Sequence, residues 1–138
     1  MDLEISAPAT MTALLACSER IGHFGAAANL DPEVIARARI IVEELFSNTI
    51  KYGYGGECER QIRLRLRRVR GRNLTVVYED DAPRFDPTQW EPDPAQPKAV
   101  ESLREGEAGI ALLFGLARTV AYQPRRGGNR LIVGFGPE

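Results

Sequence analysis

Residues 32–56 read PEVIARARIIVEELFSNTIKYGYGG, a run that predicts one long amphipathic helix. Asp31, Pro32 and Glu33 form its start, with an acid at the N-cap, a proline in the first turn and an acid beside it. The helix is expected to end near Tyr52, where closely spaced glycines follow. At about 100° per residue, one broad and mainly apolar arc is formed by Val34, Ala38, Ile41, Val42, Leu45, Phe46 and Thr49.

The polar residues near the end of this helix fall into two groups. Glu43 lies opposite the apolar arc and is expected in solvent, whereas Glu44, Asn48 and Lys51 stack on one flank at the border of the buried face. An asparagine oxygen there suits Mg²⁺, and a glutamate suits a general base. The alternative is a solvated flank with a helix-end amide, which on this helix alone is the more common arrangement.

The other elements are expected to be mostly hairpins. Apolar and polar residues alternate in the strands, and apolar residues recur at helical spacing in the helices. The resulting order is β-α-α-β-β-loop-α-β-β, which predicts an α+β two-layer sandwich in one domain, residues 1–138. The predicted segments are a strand at 2–6, a helix to about 27, strands at 62–66 and 74–80, a helix at 108–117 and a hairpin at 120–135.

Composition excludes several classes of protein. The 138 residues are 43% apolar, which is enough for a core without disulfides or metals. The formal net charge of −1 argues against general attraction to nucleic acid or anionic lipid. The N-terminus resembles no signal peptide, no apolar run has membrane-spanning length, and Cys17 and Cys58 fit no metal spacing, so we expect a cytoplasmic protein with reduced thiols.

The end of the strand LTVVYED carries a second candidate group. Asp80 shares a face with Leu74, Val76 and Tyr78, and a core-facing carboxylate is costly unless it is paired or binds a ligand. An adenine amino group is a suitable donor, and Ala82 offers little bulk against a flat base. The alternative is an acid that caps the following turn.

A third candidate is the segment EGEAGIALL, residues 105–113. A glycine-containing turn that opens into a helix can present free backbone N–H groups to phosphate. A simple helix start is the more common explanation for one such turn. Between these segments, residues 82–97 hold five of the nine prolines and are expected to be irregular.

The three segments, in this order, resemble the GHKL (histidine-kinase-like) ATPase superfamily, and within it the RsbW/SpoIIAB group of anti-sigma-factor serine kinases. VEELFSNTIKYGYGG looks like the N-box, EDDAPRFDP like the D-x-G box, and GEAGIALLFGLARTVAYQPRRGGNRLIVGF like the second glycine box with its closing hairpin. The resemblance covers roughly residues 5–136. It implies the Bergerat fold, a mixed and mainly antiparallel sheet covered on one face by helices.

The resemblance also implies roles for single residues. Glu44 would be the general base and Asn48 the Mg²⁺ ligand, while Asp80 would bind the adenine amino group and residues 86–105 would form a mobile ATP lid. Nucleotide-binding positions would be Asn48, Lys51, Asp80, Ala82, Gly106, Ala108 and Gly109. The implied cofactors are ATP and Mg²⁺.

Partners are implied in the same way. The group phosphorylates a serine on a STAS-domain anti-sigma factor antagonist and also silences a sigma factor, which is a partner switch in transcription regulation. The resemblance suggests a homodimer without direct contact to nucleic acid or membrane. No histidine-bearing dimerisation helix is expected, which argues against a GHKL protein with another phosphoacceptor.

Three positions depart from the family pattern. Ala82 stands where the D-x-G glycine is usual, Glu107 where a glycine is common, and Tyr52 where a histidine is common. These changes leave open an alternative function, a non-catalytic or weakly nucleotide-binding module that captures a partner.

Several other residues allow more than one interpretation. Residues 60–72 are rich in arginine and contain no acid, which indicates either a docking surface for an acidic partner or nucleic acid, or a solvated strand face that resists aggregation. His23 lacks partners for a metal site and is expected at the surface. Trp90 is expected to pack the proline-rich loop or to contact a partner.

Overall fold

A five-stranded sheet is the frame of the computed structural model, which describes residues 1–71, 73–89 and 107–137. The strands lie in the order β1-β2-β3-β5-β4, and each neighbouring pair is antiparallel. The two predicted hairpins, β2 with β3 and β4 with β5, are therefore confirmed. The strands are β1 (Asp2–Ala9), β2 (Cys58–Val69), β3 (Asn73–Asp80), β4 (Thr119–Arg125) and β5 (Gly128–Phe135).

Side chains along these strands alternate between a buried face and an open face, because successive residues of a strand point in opposite directions. In β2, Ile62, Leu64 and Leu66 are buried, whereas the arginines between them are at least partly exposed. The same alternation runs through β3 and β5. The predicted common face of β3 is confirmed, with Leu74, Val76, Tyr78 and Asp80 all buried.

Within the described residues, three helices pack on the sheet: α1 (Met11–Ala27), α2 (Pro32–Asn48) and α3 (Glu107–Leu116). The hydroxyl of Thr10 caps α1 by accepting the Ala13 N–H at 3.1 Å, and Pro32 occupies the first turn of α2. One hydrophobic core joins helices and sheet, and burial of each large apolar side chain stabilises it by about 1.5–3 kcal/mol. Fully buried members include Ile21, Ile41, Val42, Phe46, Leu66, Val133 and Phe135. The predicted α+β two-layer sandwich is therefore confirmed.

The end of α2 changes its winding. The α-helix stops at Asn48, and a π turn follows over Thr49–Gly53. Its hydrogen bonds reach back five or six residues, from the Tyr54 N–H to the Thr49 carbonyl at 2.7 Å and from the Gly56 N–H to the Ile50 carbonyl at 2.6 Å. The helical segment reaches about as far as predicted, but a π turn holds more residues than an α turn and occurs often at functional sites.

The expectation that Glu43 lies in solvent is wrong. Its side chain is partly buried, and its carboxylate accepts a 2.9 Å hydrogen bond from the Ser18 hydroxyl of α1. Arg39 donates to the same hydroxyl oxygen at 3.0 Å. Because α1 packs beside α2, the side of α2 opposite the apolar arc meets a second helix rather than water.

Three of the five arginines of β2 pair with acids that lie on the neighbouring strands or directly after one of them. Exposed pairs of this kind contribute little to stability, but they neutralise much of the charge of the strand. This arrangement favours a solvated strand face over a basic docking surface. The pairs are Arg63 with Asp81 (2.8 Å), Arg65 with Glu4 (3.0 Å) and Arg67 with Asp2 (3.2 Å).

The remaining predictions concern His23, the two cysteines, the segment 86–105 and the absence of a membrane-spanning run. His23 is exposed, Cys17 is buried and Cys58 is partly buried, and both cysteines are free thiols. Of the segment 86–105, only residues 86–89 are described, with a short 3-10 turn at Pro87–Gln89, and Trp90 lies outside the described residues. In the described part of the chain, every helix is too short or too polar to cross a lipid bilayer.

Candidate functional site

A buried carboxylate lies where β3 meets the end of α2. Asp80, the last residue of β3, is only 6% exposed. Its Oδ2 accepts a 2.8 Å hydrogen bond from the hydroxyl of Thr49, the first residue of the π turn. Because Thr49 directly follows Asn48, the C-terminal end of α2 lies against the end of β3. The two segments that carry the predicted site residues are therefore brought together.

A second hydroxyl extends this contact into the core. Tyr78 precedes Asp80 on the same face of β3, and its hydroxyl contacts that of Thr49. Both hydroxyls also reach the carbonyl oxygen of Leu45, each at 3.0 Å. Burial raises the pKa of Tyr78 well above its usual value, so the phenol stays protonated at neutral pH. The Tyr78 hydroxyl can therefore donate a hydrogen bond to the Thr49 hydroxyl, which in turn donates to the Asp80 carboxylate.

Asn129 holds the other oxygen of the same carboxylate. It lies opposite Asp80 in the β3–β5 pairing, and its side-chain nitrogen donates to Asp80 Oδ1 at 2.9 Å. That nitrogen also lies 3.3 Å and 3.1 Å from the carbonyl oxygens of Ala82 and Pro83. The side-chain oxygen accepts from the Tyr122 hydroxyl at 2.6 Å and from the backbone N–H of Phe85 at 2.9 Å. Asn129 therefore ties the carboxylate to the loop that follows it.

Asp80 also bonds locally, because its Oδ1 accepts the backbone N–H of Ala82 at 3.3 Å. This contact is the turn-capping bond that the sequence allowed as an alternative. A carboxylate has about four lone-pair sites, and three described donors use three of them. The remaining acceptor capacity matches one further donor.

Alanine fits the position of the expected glycine without backbone strain. Ala82 is buried, and among the described non-glycine residues only Asn29 has a positive φ, of 56°. The small residue opposite it is Gly53, where an added Cβ would lie 2.8 Å from the Ala82 Cβ. Gly128 is equally restricted, since a Cβ there would overlap the carbonyl oxygen of Asp80. The surroundings of Asp80 are thus closely packed backbone with few bulky side chains.

The three polar residues predicted on α2 differ in exposure. Glu44 and Asn48 are both partly buried and lie one turn apart, about 6 Å along the helix axis. Among the described residues, neither side chain has a hydrogen-bond or ion-pair partner. Lys51 is exposed and lies within the π turn. The direct contact to Asp80 comes from Thr49, which the sequence had assigned only to the apolar arc.

Two of the three predicted phosphate-side residues lie at the start of α3. Gly106 lies outside the described residues. Ala108 and Gly109 belong to the first turn of α3, and the side chain of Ala108, like that of Glu107, is outside the described part. In that described part, no cluster of three or more His, Cys, Asp or Glu side chains could hold a metal ion.

A known protein family matches nearly the whole chain. The family whose description is "Histidine kinase-like ATPase domain" matches residues 7–135. The chain belongs to the histidine kinase-like ATPase family. Membership implies ATP binding, and it accounts for the order of the N-box-like helix, the strand-end aspartate and the glycine-containing helix start. No significant match was found among curated protein sequences.

Solved structures confirm the histidine kinase-like ATPase fold. The RsbU and RsbW domains of Rv1364c from Mycobacterium tuberculosis match with a TM-score of 0.69 and 17% identity, over 98% of this chain and 32% of that one. The histidine kinase domain of the blue-light activated histidine kinase EL346 from Erythrobacter litoralis matches with a TM-score of 0.53 and 16% identity, over 93% of this chain and 60% of that one. The chain therefore spans about a third of the first structure's length.

Sequence reasoning missed three residues of this candidate site: Thr49, Tyr78 and Asn129. A signal was present for Asn129, because it alternates in phase with Leu131 and Val133 and is therefore a polar residue on a buried face. The other two were recognised as buried but not as polar partners of Asp80. Their partners are about 30 residues away in the sequence, so no local pattern indicates them.

Proposed function

We propose that the chain is an ATP-dependent serine/threonine protein kinase that phosphorylates a STAS-domain anti-sigma factor antagonist and also binds a sigma factor. The observation that carries this proposal is the hydrogen bond from Thr49 to Asp80. It joins the helix end with Glu44 and Asn48 to the strand end with Asp80, within a histidine kinase-like ATPase domain. The likeness to a structure containing an RsbW domain supports the choice of partner class.

The residues present fit a purine nucleotide at Asp80. The remaining acceptor site of the carboxylate suits an amino group of the base. Thr49 and Asn129 hold the carboxylate from opposite sides, so its orientation is set before any ligand arrives. Lys51, Ala108 and Gly109 would complete the binding site, with Gly106 and the segment 86–105 as its lid.

The chemistry would take place one helical turn earlier on α2. Asn48 would offer its side-chain oxygen to Mg²⁺, which prefers oxygen ligands. ATP, when bound, would supply the γ-phosphoryl group, with ADP as the leaving group as the bond to its terminal phosphate breaks, and Mg²⁺ would offset the charge of the phosphates. Glu44 would accept the proton that the serine hydroxyl loses as its oxygen bonds to phosphorus. A partly buried position suits this role, since both water and a protein substrate can reach it.

The test is phosphate transfer from labelled ATP, with Mg²⁺, to a STAS-domain protein encoded beside the gene. Wild type is expected to label a serine, and Glu44→Gln to bind ATP normally while transfer falls by roughly 10²–10⁴-fold. Glu43→Gln is the matched control, because it makes the same change at the neighbouring residue that bonds Ser18 on α1. No transfer by wild type, or equal transfer by both variants, would contradict the kinase assignment.

A partner-capture module without catalysis is the second candidate. Internal donors already occupy three acceptor sites of Asp80, so this carboxylate is stable without a ligand. Glu107 would add a negative charge near phosphate, which favours the same alternative. Calorimetry with ATP and Mg²⁺ separates the two functions, because a capture module would release no binding heat yet still form a complex with its sigma factor. The same samples, run on a sizing column, test the proposed homodimer.

A further inference from the structure

Tyr54 follows the π turn directly, and its hydroxyl bridges two strand segments. It accepts the backbone N–H of Asp81 at 2.8 Å and donates to the carbonyl oxygen of Gln61 at 2.7 Å. The Arg60 guanidinium lies 4.3 Å from the centre of the Tyr54 ring and donates to the Asp81 carbonyl oxygen at 2.6 Å. Both backbone polar groups of Asp81 are therefore held by the pair Tyr54 and Arg60.

Burial raises the pKa of Tyr54 above its usual value, so the hydroxyl keeps its proton at neutral pH. It can then donate to one strand and accept from the other at the same time. A phenylalanine at this position would keep the ring beside Arg60 and lose both of these hydrogen bonds. Removing this one oxygen atom therefore tests both hydrogen bonds, to Asp81 and to Gln61.

The turn meets three consecutive residues at the end of β3. Thr49 bonds the side chain of Asp80, Tyr54 bonds the backbone of the next residue, and Gly53 packs against Ala82. A strand end fixed at three successive positions cannot slide or rotate relative to α2. The separation between the candidate catalytic end of α2 and the base-binding carboxylate is therefore set by this turn.

We propose that Tyr54 is a positioning residue for the nucleotide. By fixing Asp81, it would determine where Asp80 and Ala82, on either side, meet the base. The inference rests on the proposed nucleotide-binding function, because a positioning role requires a ligand to be positioned. Tyr54 itself would contact no reacting atom, so its loss should weaken binding of the base and leave the chemical step nearly unchanged.

The contact is tested first without any nucleotide. Amide hydrogen exchange of Asp81 is expected to be roughly fivefold faster in Tyr54→Phe than in wild type, because the N–H loses its acceptor. Tyr52→Phe is the matched control, since it removes the same atom from an exposed ring in the preceding π turn. Unchanged exchange at Asp81 in Tyr54→Phe would mean that the Tyr54 hydroxyl does not hold this N–H, and the positioning role would be wrong. Arg60→Gln, which removes the donor to the Asp81 carbonyl, provides a second variant if the first folds poorly.

The ligand is tested next, by calorimetry with ATP and by steady-state kinetics. Tyr54→Phe is expected to raise the Kd and the KM for ATP roughly fivefold, with kcat at saturating ATP within about twofold of wild type. A merely structural role would lower the thermal stability without this split between KM and kcat. If wild type binds ATP and Tyr54→Phe binds it equally well, the positioning role is wrong. If wild type binds no ATP, the proposed function fails, and the positioning role falls with it even where the amide exchange behaves as expected.

Discussion

Asn129 donates a 2.9 Å hydrogen bond from its side-chain nitrogen to Oδ1 of Asp80, the residue directly opposite on the neighbouring strand. Its nitrogen meets only acceptors, and its oxygen meets two donors, the Tyr122 hydroxyl and the Phe85 N–H. The two ends of the amide are therefore not interchangeable. Neither a carboxylate nor an apolar side chain of the same size could satisfy these neighbours.

Asn129→Asp should destabilise the protein in a pH-dependent manner. The new carboxylate would face Asp80 in a buried position, so the free energy of unfolding at pH 7 should fall by about 2–4 kcal/mol. The shared site raises the pKa of one carboxyl group, and part of the loss should be regained as the pH falls toward 5. Urea unfolding at several pH values measures this. Asn29→Asp, on an exposed turn, is the control, and parallel pH profiles for the two variants would contradict the prediction.

Thr49→Val should lower stability by about 1–2 kcal/mol, because the Asp80 carboxylate and the Tyr78 hydroxyl would each lose a partner without a change in side-chain volume. Thr49→Ser keeps the hydroxyl and should restore most of the loss. Thermal or urea unfolding measures both variants, with Thr12→Val on the exposed side of α1 as the control. Equal stability of the valine and serine variants would mean that the hydroxyl is unimportant.

Gly53→Ala should be destabilising because the new methyl group would lie 2.8 Å from the Ala82 Cβ. Ala82→Gly removes that methyl, so the double variant should recover part of the loss. A double-mutant cycle on the free energy of unfolding should give a coupling of about 0.5–2 kcal/mol in favour of the pair. Gly115→Ala, where nothing lies within 4 Å of an added Cβ, is the control. Strict additivity would show that the two positions do not touch.

The contribution of Asp81 to stability should depend on pH and should be lost in acid. Hydrogen bonding to the Arg63 guanidinium holds the pKa of Asp81 below its usual 3.8. Because the folded-state pKa is the lower one, the contribution is complete above about pH 4 and is lost as the pH falls through the folded-state value. The side chain is 40% exposed, so the effect should be small. Acid unfolding of Asp81→Asn should show a flatter pH dependence below pH 4 than wild type, and an identical profile would contradict this.

The elements with strong periodicity were predictable from the sequence. The helices, the two hairpins and the position of Asp80 on the buried face of β3 follow from residues that are close in the chain. The long-range contacts were not. Glu43 bonds Ser18 on α1, and the acids that neutralise the arginines of β2 come from other strands, so only the assembled sheet brings them together.

The candidate site likewise has one part that the sequence predicts and another part that only the structure shows. Its family pattern is visible in Glu44, Asn48 and Asp80, whose roles stay predictions. The residues that support Asp80 are visible only in three dimensions, since Thr49 and Asn129 approach it from 31 and 49 positions away. A buried carboxylate could be inferred from the alternation of β3, but the donors that make it tolerable could not.

The π turn fixes the number of residues that the chain can have between Asn48 and Tyr54. Removing one residue from Thr49–Gly53 would let the helix continue with α winding, and every later side chain would turn by about 100° around the axis. The phenol of Tyr54 would then point away from β3, and the small Gly53 would no longer face Ala82. Point substitutions in this segment are therefore graded in effect, whereas a single-residue deletion should uncouple the helix from the sheet.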